Sequence, residues 1–353
     1  MKSVSTALAQ HLSGPVTTLA CLWRLTRRDG TVLGFTDHDQ DVVVDGFTYL
    51  ASAGYDRSTI ASSAGLAVDN LEIQGIIDHD LIREQDLRAG LWDHAEVEVF
   101  LVNWADPSQG LVRLRRGRLG EVVATTGGLF RVELRGLTQA LSQTIGEVYT
   151  ATCRADLGDA RCRLPLWPPE IARSTAYAIG TVLRVPTATG PGAAAYENRV
   201  YRVVTPGTTA AEQPLYDSTP GAQTVDGTAV LVAEQAWTRA GEVTTVTDRR
   251  TFAVTITEPR ATDGWFAGGG LTWESGANAG RTCEVKTWTQ AGSLVELYLP
   301  VGYPVAPGDR FRIHPGCDKR LATCRDRFAN ILNFRGEPYV PGSDALMSYP
   351  DAR

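Results

Sequence analysis

The feature that most constrains this chain is its punctuation. Short runs rich in Val, Thr, Tyr and Phe recur along it, among them VVVDGFTYL, AEVEVFLVNW, NRVYRVV, TFAVTITE and LVELYL. Gly, Pro, Asn or Asp bound nearly every run, and the chain holds 35 glycines and 18 prolines to supply them. Segments this short cannot each cover a core as helices. They suit antiparallel sandwiches and barrels. The fold class read from the sequence is therefore mainly β, with few short helices. Helical stretches are expected at SVSTALAQHL, at DHDLIREQDLRAG, at LTQALSQTI and from Asp318 onward.

At 353 residues the chain has room for two or three domains. Composition shifts between about residues 165 and 240, where LPLWPPEI is followed by TATGPGAAA and TPGTTAAEQP. This segment reads as an inserted module. The net charge of −6 gives no support for nucleic-acid binding, which usually shows a basic surplus. The first residues lack the apolar core of a signal peptide, and no apolar run approaches the length of a membrane span. Synthesis in a reducing cytoplasm is expected, where paired cysteines point more to metal than to disulfides.

Two close pairs stand out among the six cysteines. TATCRADLGDARCRL carries Cys153 and Cys162, and GCDKRLATCRDRFANILNFRGEPYVPG carries Cys317 and Cys324. Two such pairs suit a four-thiolate site for zinc or an iron–sulfur cluster. Two local disulfides or two sets of buried thiols are the plainer readings. Unbroken helix from Cys317 to Cys324 would separate their α-carbons by about 10 Å, too far for one centre. Cys317 is thus expected in the PGC turn, with Cys324 reaching back from the helix. Arg154, Arg161, Arg163, Lys319, Arg320, Arg325 and Arg327 would surround a centre carrying negative charge. Cys21 and Cys283 read as ordinary buried thiols.

Other chemistry-bearing residues read as structural. GFTDHDQDV places Asp37, His38, Asp39 and Asp41 together, and IIDHD places Asp78, His79 and Asp80. Such residues more often cap turns and helices than catalyse. WFAGGGLTW lacks the Lys-Ser/Thr of a phosphate cradle and reads as a tight strand connection. No hydrolase elbow, Walker loop or zincin motif occurs. A redox or metal enzyme built on the four cysteines is one rival class. A glycan hydrolase, with Asp37, Asp39 or Glu337 as its carboxylates, is another.

The combination of GFTDHD, CRADLGDARC and the C-terminal string of cysteine, basic helix, cysteine, Arg-Phe-x-Asn and Asn-Phe-Arg-Gly-x-Pro resembles the baseplate hub proteins of gene transfer agents and related tailed phages. That group is similar to the minor tail protein L of phage lambda. The resemblance implies a non-enzymatic virion protein made in the bacterial cytoplasm and assembled into a particle tail. It implies a homotrimeric ring between the distal tail ring and the large tip or fibre protein, through which DNA passes without specific binding. It also implies a 4Fe-4S cluster on Cys153, Cys162, Cys317 and Cys324, with zinc as the alternative. The domains then read as N-terminal hub β domains over 1–148, a cluster-binding domain over 149–175 plus 311–353, an inserted β module over 176–240 and a hub β-barrel over 241–310. The inserted module resembles small β modules of phage tail and chitinase-like proteins through Tyr201, the Pro-Gly-Thr-Thr turn at 206–209, Pro214 and Thr-Val-Asp-Gly at 224–227. Tyr201, Tyr216 and Trp237 are its candidate glycan contacts.

Overall fold

The computed structural model describes residues 4–51, 56–57, 70–76, 82–124, 129–136, 146–186, 196, 198–256, 258 and 262–340. The chain separates into two compact units, Met1–Gly146 and Glu147–Arg353. The described residues are mainly β, as the punctuation of the sequence demands.

In the first unit, helix α1 (Thr6–Leu12) begins at the N-cap Ser5, whose Oγ accepts the Leu8 N–H at 3.1 Å. Leu8 is the residue this helix buries. Nine strands then form one sheet: β1 (Leu19–Thr26), β2 (Val32–Thr36), β3 (Val42–Val44), β4 (Phe47–Ala51), β5 (Asp56–Arg57), β6 (Asn70–Ile76), β7 (Glu96–Asn103), β8 (Leu111–Ala124) and β9 (Leu129–Gly136). Their spatial order is β3-β4-β2-β1-β7-β8-β9-β6-β5. Central β1 is covered on both faces. Cys21, Trp23 and Leu25 enter one core, while Ala20 and Leu22 enter the other. This follows from the two-residue period of a strand, and it explains why LACLW is apolar at nearly every position. The expected second helix is a single short one, α2 (Glu84–Arg88). Asp78, His79, Asp80 and the expected helix at 137–145 lie outside the described residues.

The described residues of the second unit contain three strand assemblies. Strands β10 (Ala176–Tyr177) and β13 (Gly207–Thr208) pair as a short ribbon. Strands β11 (Val182–Leu183), β12 (Arg199–Thr205), β14 (Gln223–Asp226) and β15 (Ala229–Gln235) form a sheet ordered β11-β12-β15-β14. Next, β16 (Arg239–Val246), β17 (Thr251–Ile256), β18 (Gly270–Trp273), β19 (Thr282–Thr289), β20 (Leu294–Leu297) and β21 (Arg310–Ile313) close into a barrel ordered β16-β17-β20-β19-β18-β21. Phe252, Phe266, Trp273, Trp288 and Phe311 fill it, with Cys283 partly buried at its wall. Closure leaves no free edge for unwanted pairing. The barrel starts at Arg239 and ends at Ile313, so it takes a few residues at each end from segments that composition alone assigns to the neighbours.

A carboxylate ties three barrel strands on the outer face. Glu296 accepts from Lys286 Nζ at 3.0 Å, from Thr287 Oγ1 at 3.2 Å and from the Arg250 guanidinium. These bonds, Arg250 first, hold its pKa down at about 2. A depressed carboxylate pKa stabilises the fold above the unfolded value and loses that stabilisation as pH falls through the folded one. The thermal midpoint of wild type should therefore exceed that of Glu296→Gln at pH 6, and the gap should close between pH of about 4.5 and about 2. A gap that persists unchanged below that window would exclude the carboxylate as its source.

Among the described residues no helix is long and apolar enough to cross a membrane.

Candidate metal centre

The two cysteine pairs lie in loop-built chain. TATCRADLGDARC forms turns without strands, and the second stretch holds helix α3 (Leu321–Asp326) and a 3-10 turn at Ile331–Asn333. Cys317 precedes α3 and Cys324 lies within it, the order that the helix-pitch argument requires. With only six residues, α3 is shorter than a helix whose terminal field would matter much.

A close backbone approach sets the entry to the second pair. A Cβ on Gly316 would stand 1.7 Å from the Ala267 carbonyl oxygen, and one on Gly269 would stand 2.0 Å from that of His314. The glycines of WFAGGGLTW and PGC thus let two backbones touch where no side chain fits. That contact, not a phosphate, accounts for the glycine run.

Backbone bonds then sew the two stretches together. The Cys153 N–H donates to the Lys319 carbonyl at 2.8 Å, and the Arg154 N–H donates to the Arg335 carbonyl at 3.0 Å. Lys319, in the left-handed region at φ 63°, sends its Nζ to the Ala155 carbonyl at 2.5 Å and to Asp156 at 2.7 Å. Cys162 packs with Ala155, Leu164 and Phe328, beside Cys153, Cys317 and Trp237.

All six cysteines are free; Cys162 and Cys324 are buried, Cys153 and Cys317 half-buried. Burial, first, and then the like charge of Cys153, Cys162 and Cys317 push the Cys324 thiol up to about 11. Asn330 touches both Cys162 and Cys324, and Cys153 bonds the backbone of Lys319, two residues from Cys317, so the two stretches meet. Donors point at several of the sulfurs: the Arg335 N–H at Cys153 Sγ (3.3 Å), Asn330 Nδ2 at Cys162 Sγ (3.4 Å) and the Lys319 backbone at Cys317.

Among the described residues, no group of three or more His, Cys, Asp or Glu side chains is placed to hold a metal ion. The expected cysteine-ligated domain is here a loop-rich layer with four free thiols. The basic shell is also less available than its sequence suggests. Arg154 pairs with Glu337 and Glu147, Arg161 with Glu147 and Asp159, Lys319 with Asp156, and Arg325 with Asp326. Those carboxylates offset much of the positive charge.

The remaining candidates resolve into structure. Asp37 accepts the Cys21 N–H at 2.7 Å and Asp41 the Ala51 N–H at 2.7 Å, while Asp39 contacts His38. These roles are structural, as expected, but the backbone donors of Asp37 and Asp41 belong to β1 and β4 rather than to a local turn. Both Glu337 oxygens accept from Arg154, which lowers its pKa, the opposite of what a general acid needs.

Of the three expected glycan aromatics, the two tyrosines are core residues and Trp237 is half-buried. Tyr201 is 0% exposed and Tyr216 3% exposed. The Tyr216 hydroxyl donates to the fully buried Asp226, which also accepts from Arg173 (2.9 Å) and the Ala210 N–H (2.8 Å). Trp237 packs edge-on to Phe328, with 5.2 Å between ring centroids. Stacking on a sugar needs an open ring face, and the tyrosines have none here. The strand pattern of NRVYRVV missed this because β12 buries consecutive residues, Val200 and Tyr201, on opposite faces.

Comparison with known proteins agrees with this architecture. Residues 5–165 match the family described as baseplate hub protein, N-terminal attachment domain. Residues 264–344 match the family described as phage conserved hypothetical protein BR0599. No curated protein matches. Among solved structures, a chain from the virion of a native gene transfer agent particle is similar, with 36% identity and a TM-score of 0.67 over 99% of this chain and 97% of that one. An attachment domain at one end, a phage family at the other and a gene-transfer-agent chain along nearly the whole length converge: the chain belongs to the baseplate hub proteins of gene transfer agents and tailed phages, structural proteins assembled into the particle tail.

Proposed function

We propose that this hub protein is a non-enzymatic ring component, three copies of which sit between the distal tail ring and the tip or fibre protein. In this reading Cys153, Cys162, Cys317 and Cys324 hold a 4Fe-4S cluster. The observation that carries it is the meeting of four free thiols, two from each side of the inserted module and barrel, with N–H donors aimed at the sulfurs. Hydrogen bonds of this kind accompany iron–sulfur ligation. Sulfurs around one tetrahedral zinc, at about 2.3 Å from the metal, must crowd together. A cluster is a larger body and accepts thiolates spread more widely than one ion does.

When bound, the group would supply a rigid cross-link between remote stretches. The chain's own residues do the rest: Lys319 and Arg335 fix the cysteine loops, and Leu164, Trp237 and Phe328 shield them from water. A net charge of −6 suits a ring that DNA traverses without being gripped.

Metal analysis of anaerobically purified protein tests the cofactor. About four irons per chain with matching sulfide is the expected result; one zinc would select the alternative, and metal-free protein would reject both. Electron cryomicroscopy of intact particles tests the ring. Three-fold density for this chain between tube and tip supports the proposed position, and any other stoichiometry or location rejects it.

A further inference from the structure

The Arg-Phe-x-Asn motif has a residue whose bonds reach both cysteine stretches. Asn330 donates its backbone N–H to the Cys324 carbonyl at 2.9 Å, and its own carbonyl accepts from the Cys324 thiol at 3.3 Å. Its side-chain Nδ2 donates to the Cys162 carbonyl at 2.6 Å and lies 3.4 Å from Cys162 Sγ. The amide orientation follows from the Cys162 carbonyl, which can only accept and so must face Nδ2; Asn333 Nδ2 then donates to Asn330 Oδ1 at 2.7 Å. Ala329 stands at φ 49°, a left-handed turn after α3 that brings Asn330 back toward the cysteines.

We infer that Asn330 is a positioning residue of the cysteine centre: it joins Cys162 to Cys324 across the two stretches and presents an N–H to the Cys162 sulfur. This rests on the cluster reading above. The donors to Cys153 and Cys317 are backbone groups, which survive any substitution. The donor to Cys162 is a side chain, so this corner of the centre depends on residue type. Loss of outer hydrogen bonds to metal ligands typically weakens metal binding by about 10–100-fold. A bland alternative is that Asn330 only staples two loops, in which case its loss harms the fold with or without iron.

The test uses the full chain loaded anaerobically with ferrous iron and sulfide. Asn330→Asp keeps the shape and removes the donor; Asn330→Leu removes all side-chain hydrogen bonding. The rate of iron loss to a ferrous chelator is read beside the unfolding midpoint of the chelator-stripped proteins. The expected result is iron loss about 10–100-fold faster in both variants, with Asn330→Leu matching wild type in the stripped state. Iron retention equal to wild type in both variants overturns the inference while leaving the cluster reading intact. So does a stripped Asn330→Leu protein destabilised as much as the loaded one. Wild type that takes up no iron overturns the cluster reading and this inference with it.

Discussion

Cys324→Ser is expected to abolish iron binding and to lower the stability of the purified chain by about 5 kcal/mol. The figure follows from topology. Cys162 and Cys317 bracket the inserted module and most of the barrel, so ligation by both closes a loop of roughly 150 residues, and in the chain-entropy model closing such a loop raises the free energy of the unfolded state by about that much. It is a large share of the 5–15 kcal/mol typical of whole proteins, on the order of one third to all of it. Cys324 is the informative site because it is buried and sits electrostatically among the other three thiols. Serine keeps the side chain small and polar, so cavity formation adds little. Denaturant unfolding under anaerobic conditions measures the difference, and stripped wild type should coincide with the variant. Loaded wild type and Cys324→Ser unfolding together would show that the cysteines do not cross-link the fold.

The second large effect is expected at a position remote in chemistry from the cysteines. Arg239 and Glu258 are each only 1% exposed at the side chain, and Arg239 Nε meets Glu258 Oε2 at 2.6 Å. Arg239 also donates to the Asn198 carbonyl at 2.9 Å, linking the first barrel strand to the edge of the inserted module. Glu258→Ala leaves a buried guanidinium without its counter-charge, which typically costs about 3–5 kcal/mol. The double change Arg239→Met with Glu258→Leu should recover most of that loss, since taking two charges out of water offsets much of their attraction. Thermal and denaturant unfolding of wild type, Arg239→Met, Glu258→Leu and their combination forms a double-mutant cycle, with Glu258→Ala measured beside it. A single-variant cost below about 1 kcal/mol, typical of an exposed pair, would show that water reaches the site.

The inserted module shows where pattern reading stops. Tyr201, Tyr216 and Trp237 read as an aromatic platform because residue type speaks for sugar stacking as readily as for a core. Packing decided the matter: bonded to the fully buried Asp226, which the half-buried Arg173 also contacts, Tyr216 joins Tyr201 in closing the module's own interior. GFTDHD was half legible. Asp37 and Asp41 accept backbone N–H groups, as short acidic side chains often do, but their donors are Cys21 in β1 and Ala51 in β4, which only the sheet brings near.

The amino-acid string by itself determined the strand-rich class, a short helix before the first strand and the four cysteines worth watching, since each depends on period or composition over a few neighbours. Tertiary structure alone decided the closure of β16 onto β21, the meeting of Arg239 with Glu258 and the reach of Asn330 to Cys162. These contacts join residues far apart along the chain. Their partners are chosen by which faces remain to be buried after the sheets have formed, and no local pattern carries that information.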